Sequence, residues 1–206
     1  MSFMGTGKHL RLIICLFVIH FGLTTQAKSK KNKSTPFVIK TQSYKVGKNN
    51  HKGLLVYKKK SKGKLPGVLI LPEFWGINSD VKKKAEMVAS WGYVVMVADF
   101  YGDGKGTQDP DQAQKWLKEL EGKGQKHLYK TFMDSHSTLV GQKNVANGKI
   151  GILGYSFGGA LATEMARRGL GFKAVVNIHG AVGSKNQAKP GTIKSPILWI
   201  RAEHDA

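Results

Sequence analysis

The chain has 206 residues, with 33 Lys+Arg against 13 Asp+Glu and a formal net charge of +20. That length suits one α/β domain with a sizeable core. Fifteen basic residues and no acidic one precede Glu73, which leaves only +5 for the rest of the chain. The charge therefore does not mark the body as a nucleic-acid binder, and no nucleic-acid-binding motif or aromatic interleaving accompanies the Lys28–Lys33 run.

Met1 to Ala27 reads as a secretory signal peptide. Lys8, His9 and Arg11 form a positive start, Leu12 to Leu23 a short apolar core, and Thr25-Gln26-Ala27 a small-x-small cleavage site. The apolar run is short for a membrane span, and an uncleaved N-terminal anchor is the alternative. Export to the periplasm or outside the cell is expected. Cys15, the one cysteine of these 206 residues, lies inside the expected signal, so neither disulfides nor thiol chemistry is expected of residues 28–206 after cleavage. Residues 28–36 form a Lys-rich leader, expected to be flexible and solvated. Contact with an anionic envelope surface through Lys28–Lys33 stays open.

Phe37 to Lys48 and Gly53 to Lys59 read as paired antiparallel strands, with Lys58 to Lys64 as a charged loop. From Pro66 the pattern alternates strand and helix. Val68 to Leu71 is a continuous apolar run, as in a strand covered on both faces. Asn78 or Ser79 caps a helix with Val81, Ala85, Val88 and Ala89 on one face, and Gly92 stops it. Tyr93 to Ala98 is a strand ending at Asp99, followed by a Gly/Asp-rich loop to Pro110. Helical patterns cover Asp111 to Glu121 and Lys126 to Gln142. Asn147-Gly148 is expected to turn the chain into the next strand. Ala174 to Ile178 and Ile197 to Ile200 are the last strands. This order predicts an α/β fold with a mostly parallel central sheet and helices on both faces. Catalytic groups in such sheets collect at the strands' C-terminal ends, where Glu73, Asp99, Ser156, His179 and Asp205 fall. His51, His127 and His136 read as surface positions.

The stretch Gly151-Ile-Leu-Gly-Tyr-Ser-Phe-Gly-Gly159 carries the most chemistry. An apolar strand runs through Gly-x-Ser-x-Gly-Gly into a helix at Ala160, the context of a nucleophile elbow. A Cβ at Gly154 or Gly158 would clash with a neighbouring strand or helix. The helix N-terminus points at Ser156, where free N–H groups meet developing negative charge. The alternative is a glycine-rich strand–helix turn of some other α/β protein. No HExxH motif, cysteine pair or phosphate-binding loop occurs, so no metal or cofactor is expected.

Three passages resemble the dienelactone hydrolase family of α/β-hydrolases: Leu71 to Asn78, Ala98 to Gly102, and Gly151 to Gly159. The resemblance spans roughly Pro66 to Asp205. It implies a triad with Ser156 as nucleophile and Asp205 as the acid that orients a histidine. It also implies an oxyanion hole from the backbone N–H groups of Phe74 and Phe157. The elbow carries serine where the family's best-known members carry cysteine, so Glu73, which pairs with the thiol there, is expected to bind substrate or brace its loop. The turn before the acid reads Ala202-Glu203-His204-Asp205 rather than Gly-x-x-Asp. Gly106 to Leu117 lacks the family's carboxylate-binding arginines, which argues for a substrate other than a dienelactone.

The fold's chain order places the catalytic histidine after the acid. Only Ala206 follows Asp205, so residues 37–206 are expected to be an α/β-hydrolase domain incomplete at its C-terminus, with the histidine beyond Ala206. His179 then reads as a substrate-binding or pocket-wall residue. The expected activity is hydrolysis of a small ester or lactone through an acyl-enzyme. Two alternatives remain: an inactive hydrolase fold that binds an anionic surface, and an acyltransferase on the same fold.

Overall fold

The structure is a computed structural model that describes residues 36–184 and 187–202. The signal peptide, the Lys28–Lys33 run and Asp205 lie outside the described residues. The domain opens with a hairpin of β1 (Phe37–Val46) and β2 (Asn49–Lys58), paired antiparallel from Phe37 opposite Lys58 to Val46 opposite Asn49. The second strand starts four residues earlier than expected. Continuous backbone pairing carries the polar stretch from Asn49 to Lys52 into the strand, although its side chains give no apolar signal.

The remaining elements follow as β3 (Leu65–Leu71), α1 (Ser79–Ser90), β4 (Val94–Val97), α2 (Pro110–Gly122), α3 (Gly124–Val140), β5 (Val145–Tyr155), α4 (Phe157–Arg167), β6 (Ala174–Ile178) and β7 (Ile197–Ile200). They build one seven-stranded sheet in the order β1-β2-β4-β3-β5-β6-β7. β2 joins β4 antiparallel, while β4, β3, β5, β6 and β7 run parallel. The helix caps follow from local side chains. Asn78 Oδ1 accepts from the N–H groups of Asp80 and Val81 at 3.1 and 3.0 Å and starts α1. Asp109 caps α2 ahead of Pro110, a residue whose fixed φ suits a first helical turn.

Alternation along the strands sorts the core into two layers. Leu55, Leu69, Leu71, Val94, Met96 and Ile152 face Leu128 and Phe132 of α3 and Leu161 and Met165 of α4. Their neighbours Leu54, Val56, Val68, Ile70, Val95 and Val97 face Val81, Ala85, Val88 and Ala89 of α1. Helices thus cover both faces, and the strands read as unbroken apolar runs because both of their faces are buried.

Two local expectations are corrected. Asn147-Gly148 is not a turn into the strand but lies inside β5, where the register with β3 shifts between Leu65 opposite Val145 and Gly67 opposite Ile150. Gly148 absorbs this irregularity at φ +67°. Nor is His51 a surface residue; it is 2% exposed. The long β2 places it opposite Tyr44, and its Nδ1 donates to the Asp99 carbonyl at 2.7 Å. His127 and His136 are also partly buried. His136 stacks on Phe132 and meets Phe172 edge-on, and burial holds its pKa below the usual value.

Candidate active site

β5 ends at Tyr155 and α4 begins at Phe157, leaving Ser156 alone at the turn with φ +49° and ψ −115°. A side chain in this region of backbone space is strained, and the surroundings must hold it. They do so through close backbone approach. A Cβ on Gly154 would lie 2.2 Å from the Gly158 carbonyl oxygen, and one on Gly158 would lie 2.1 Å from that of Leu71. The Ser156 N–H donates to the Ile178 carbonyl at 2.8 Å, so the turn is tied to the end of β6. The first-turn N–H groups of a helix have no acceptor within the helix, and Phe157 supplies the first of them here.

The packing of Gly158 against the Leu71 and Pro72 carbonyls brings the start of α4 to the end of β3. The chain then turns at Glu73–Gly76, with the Gly76 N–H donating to the Glu73 carbonyl at 3.1 Å. Phe74 occupies the second position of this turn. The turn is clasped by the loop after β4. The Tyr101 hydroxyl donates to the Phe74 carbonyl at 2.7 Å, Ile77 N–H to Lys105 at 2.9 Å, and Thr107 N–H to Trp75 at 3.0 Å. Gly76 and Gly106 form an antiparallel bridge.

The Glu73 carboxylate accepts from Lys84 Nζ of α1 at 3.1 Å, an arrangement that braces the loop. The same ammonium lies 4.2 Å from the ring centre of Tyr155, the residue before the serine. Burial, and then the nearby charge of Glu73, push the Tyr155 hydroxyl up to about 12, so it stays protonated. The sequence reading missed Lys84. Its helical pattern marked only α1's apolar face, and contact with Glu73 needs the crossover to fold back.

His179 follows β6 at φ +56°, its N–H donating to the Ile200 carbonyl at 2.8 Å. Asn177, 1% exposed, organises this end of β6. Its Oδ1 accepts from the Gly180 N–H at 2.7 Å, and its Nδ2 donates to Thr163 Oγ1 at 2.9 Å and the Gly180 carbonyl at 3.2 Å. A Cβ on Gly159 would lie 2.3 Å from that Oδ1, so one side chain spaces the elbow helix from the His179 turn. A lone Asn inside the apolar run Ala-Val-Val-Asn-Ile was the available signal.

Asp99, grouped with the strand-end acids by its position, has a structural part. It is 1% exposed and accepts the N–H groups of Lys52, Tyr101, Gly102 and Gly104 at 2.8 to 3.1 Å. Both carboxylate oxygens are thereby taken up in shaping the loop that carries Tyr101.

Residues 52–206 match the model of the dienelactone hydrolase family. The chain belongs to that family. A dienelactone hydrolase-like promiscuous phosphotriesterase from metagenomic libraries superposes with a TM-score of 0.73 at 26% identity, over 80% of this chain and 68% of that one. The carboxymethylenebutenolidase of Pseudomonas putida is 25% identical over 70% of this chain and 63% of its own length. The carboxymethylenebutenolidase homolog of Rattus norvegicus is 26% identical over 68% and 56%. The chain thus spans about three-fifths of the length of these sequence relatives. As in the dienelactone hydrolase family's α/β-hydrolase fold, the strand ends of β3, β5 and β6 converge around one serine.

Proposed function

We infer that the protein is an exported serine hydrolase that cleaves a small ester or lactone through an acyl-enzyme on Ser156. The observation that carries this reading is the backbone of Ser156, held at φ +49° between β5 and α4 by glycines that admit no Cβ. A strained serine at the mouth of a helix has its hydroxyl presented where oxyanion donors converge.

In this reading Ser156 Oγ attacks the substrate carbonyl while a histidine takes its proton. Asp205 orients that histidine and stabilises its charged form. The N–H groups of Phe74 and Phe157 receive the negative charge of the tetrahedral intermediate. Collapse expels the alcohol, which takes the proton back from the histidine, and water activated by the same base releases the acid. Glu73, clasped by Lys84, and His179 border the substrate. Family membership and the carboxymethylenebutenolidase relatives support ester or lactone chemistry. Export rests on the signal-like start of the sequence.

The test is labelling of the native protein by a fluorophosphonate, read by intact mass and peptide mapping, beside hydrolysis of p-nitrophenyl acetate. One adduct on Ser156, and loss of both labelling and turnover in Ser156→Ala, is the expected result. Turnover that survives in Ser156→Ala sinks the acyl-enzyme. No label and no turnover in the unaltered protein favours the surface-binding alternative. Ester formation with an added alcohol in preference to hydrolysis favours the acyltransferase.

A further inference from the structure

We propose that Tyr101 is a positioning residue for the oxyanion hole, acting through the hydrogen bond from its hydroxyl to the Phe74 carbonyl. The inference rests on the acyl-enzyme reading of Ser156.

A backbone N–H stabilises an oxyanion only if it already points at the site when charge develops. The Phe74 N–H belongs to the peptide whose carbonyl, that of Glu73, accepts from the Gly76 N–H at 3.1 Å. That bond sets the plane of the first peptide of the turn. The second peptide, which carries the Phe74 carbonyl, is held from outside the turn by the Tyr101 hydroxyl at 2.7 Å. With the peptides on both sides of the Phe74 Cα held, rotation of the Phe74 N–H is resisted.

Tyr101 is itself fixed. Its N–H donates to Asp99 Oδ1 at 3.1 Å, and its ring packs at 5.5 Å from that of Trp116 on α2. Burial, then the charge of Glu121, raise the pKa of the hydroxyl, so it remains a donor. The ring alone would suffice for packing against Trp116. The hydroxyl has a separate task, and removing it separates the two.

The experiment compares the native protein with Tyr101→Phe and Ser156→Ala. It measures p-nitrophenyl acetate kinetics, inhibition by benzeneboronic acid and thermal unfolding. Loss of a whole oxyanion donor lowers kcat by about 10²–10³; loss of its brace is expected to lower kcat by roughly tenfold or more. KM should stay within about twofold, because the ground-state carbonyl makes little use of the hole. Boronate affinity should fall by the same factor as kcat, since the adduct resembles the tetrahedral intermediate. Tyr101→Phe with unchanged kcat and boronate affinity, or with a loss confined to KM, overturns the proposal. Undiminished hydrolysis by Ser156→Ala instead removes the acyl-enzyme reading on which it stands.

Discussion

A Cβ added to Gly158 would lie 2.1 Å from the carbonyl oxygen of Leu71. The first turn of α4 is thus pressed onto the end of β3, with no room for a methyl group. In the proposed mechanism this contact sets the distance between the two oxyanion donors, the N–H groups of Phe157 and Phe74. Phe157 precedes Gly158 directly, and Phe74 lies three residues beyond Leu71.

Gly158→Ala should therefore destabilise the protein by about 3 kcal/mol or more, because the clash is with backbone that cannot rotate away. Gly122→Ala is the matched control. Its Cβ would meet nothing within 4 Å, and alanine at the end of α2 should be neutral or stabilising by up to about 1 kcal/mol. Urea unfolding of the two variants checks the contrast.

Asp99→Ala should remove the anchor of the loop after β4. Four buried or part-buried N–H groups lose a charged acceptor at once, and a loss of roughly 3 kcal/mol or more is expected. Asp99→Asn should recover only part of it, since the amide NH₂ would face N–H donors. Denaturant midpoints, with ester turnover measured alongside, test both.

Asn177→Leu keeps the branching of the side chain, adds methyl bulk and removes its bonds to Gly180 and Thr163. A stability loss of about 2 kcal/mol follows from the unsatisfied Gly180 N–H. Because Gly159 and Gly180 are both packed against Asn177 Oδ1, the elbow should shift as well, and fluorophosphonate labelling of Ser156 should slow. Unfolding midpoints and labelling rates are the readouts.

Acid should weaken the fold partly through His136. Its folded pKa is lowered by burial, so between that value and the unfolded 6.5 the unfolded chain binds more protons. The stability this group contributes is complete above about pH 6.5 and is lost as the pH falls below it. The decline in Tm between about pH 7.5 and 5.5 should be shallower in His136→Phe than in the unaltered protein. It should not vanish, because His127 is lowered too, by burial and then by Lys123 and His51.

The strand–helix order, a cap for α1 at Asn78 or Ser79 and the elbow were legible in the chain because each is a local pattern, and the structure puts the cap at Asn78. The apolar runs at Val68–Leu71 and Ile197–Ile200, the Asn78 cap and the glycines around Ser156 all act within a few residues of themselves. The bulge at Asn147-Gly148 was read as a turn because the dipeptide commonly makes one, and only pairing with β3 kept it in a strand. The three histidines were read as surface positions, and none of them is fully exposed. His51 is buried because β2 extends past its apolar stretch, a consequence of backbone pairing that leaves no side-chain signature.

By itself the sequence determined that a serine stands at a strained strand–helix turn in an α/β sheet. The reason is short-range sterics: only glycines at 154 and 158 let the backbone pass, and the spacing is written in the residues. Which groups surround that serine was decided by the tertiary structure. Tyr101 meets Phe74, Lys84 meets Glu73, and Asn177 spaces Gly159 from Gly180 across 27, 11 and 3 to 18 residues of chain. Such meetings depend on sheet order and crossover packing, which fix distances in space that spacing along a chain does not encode.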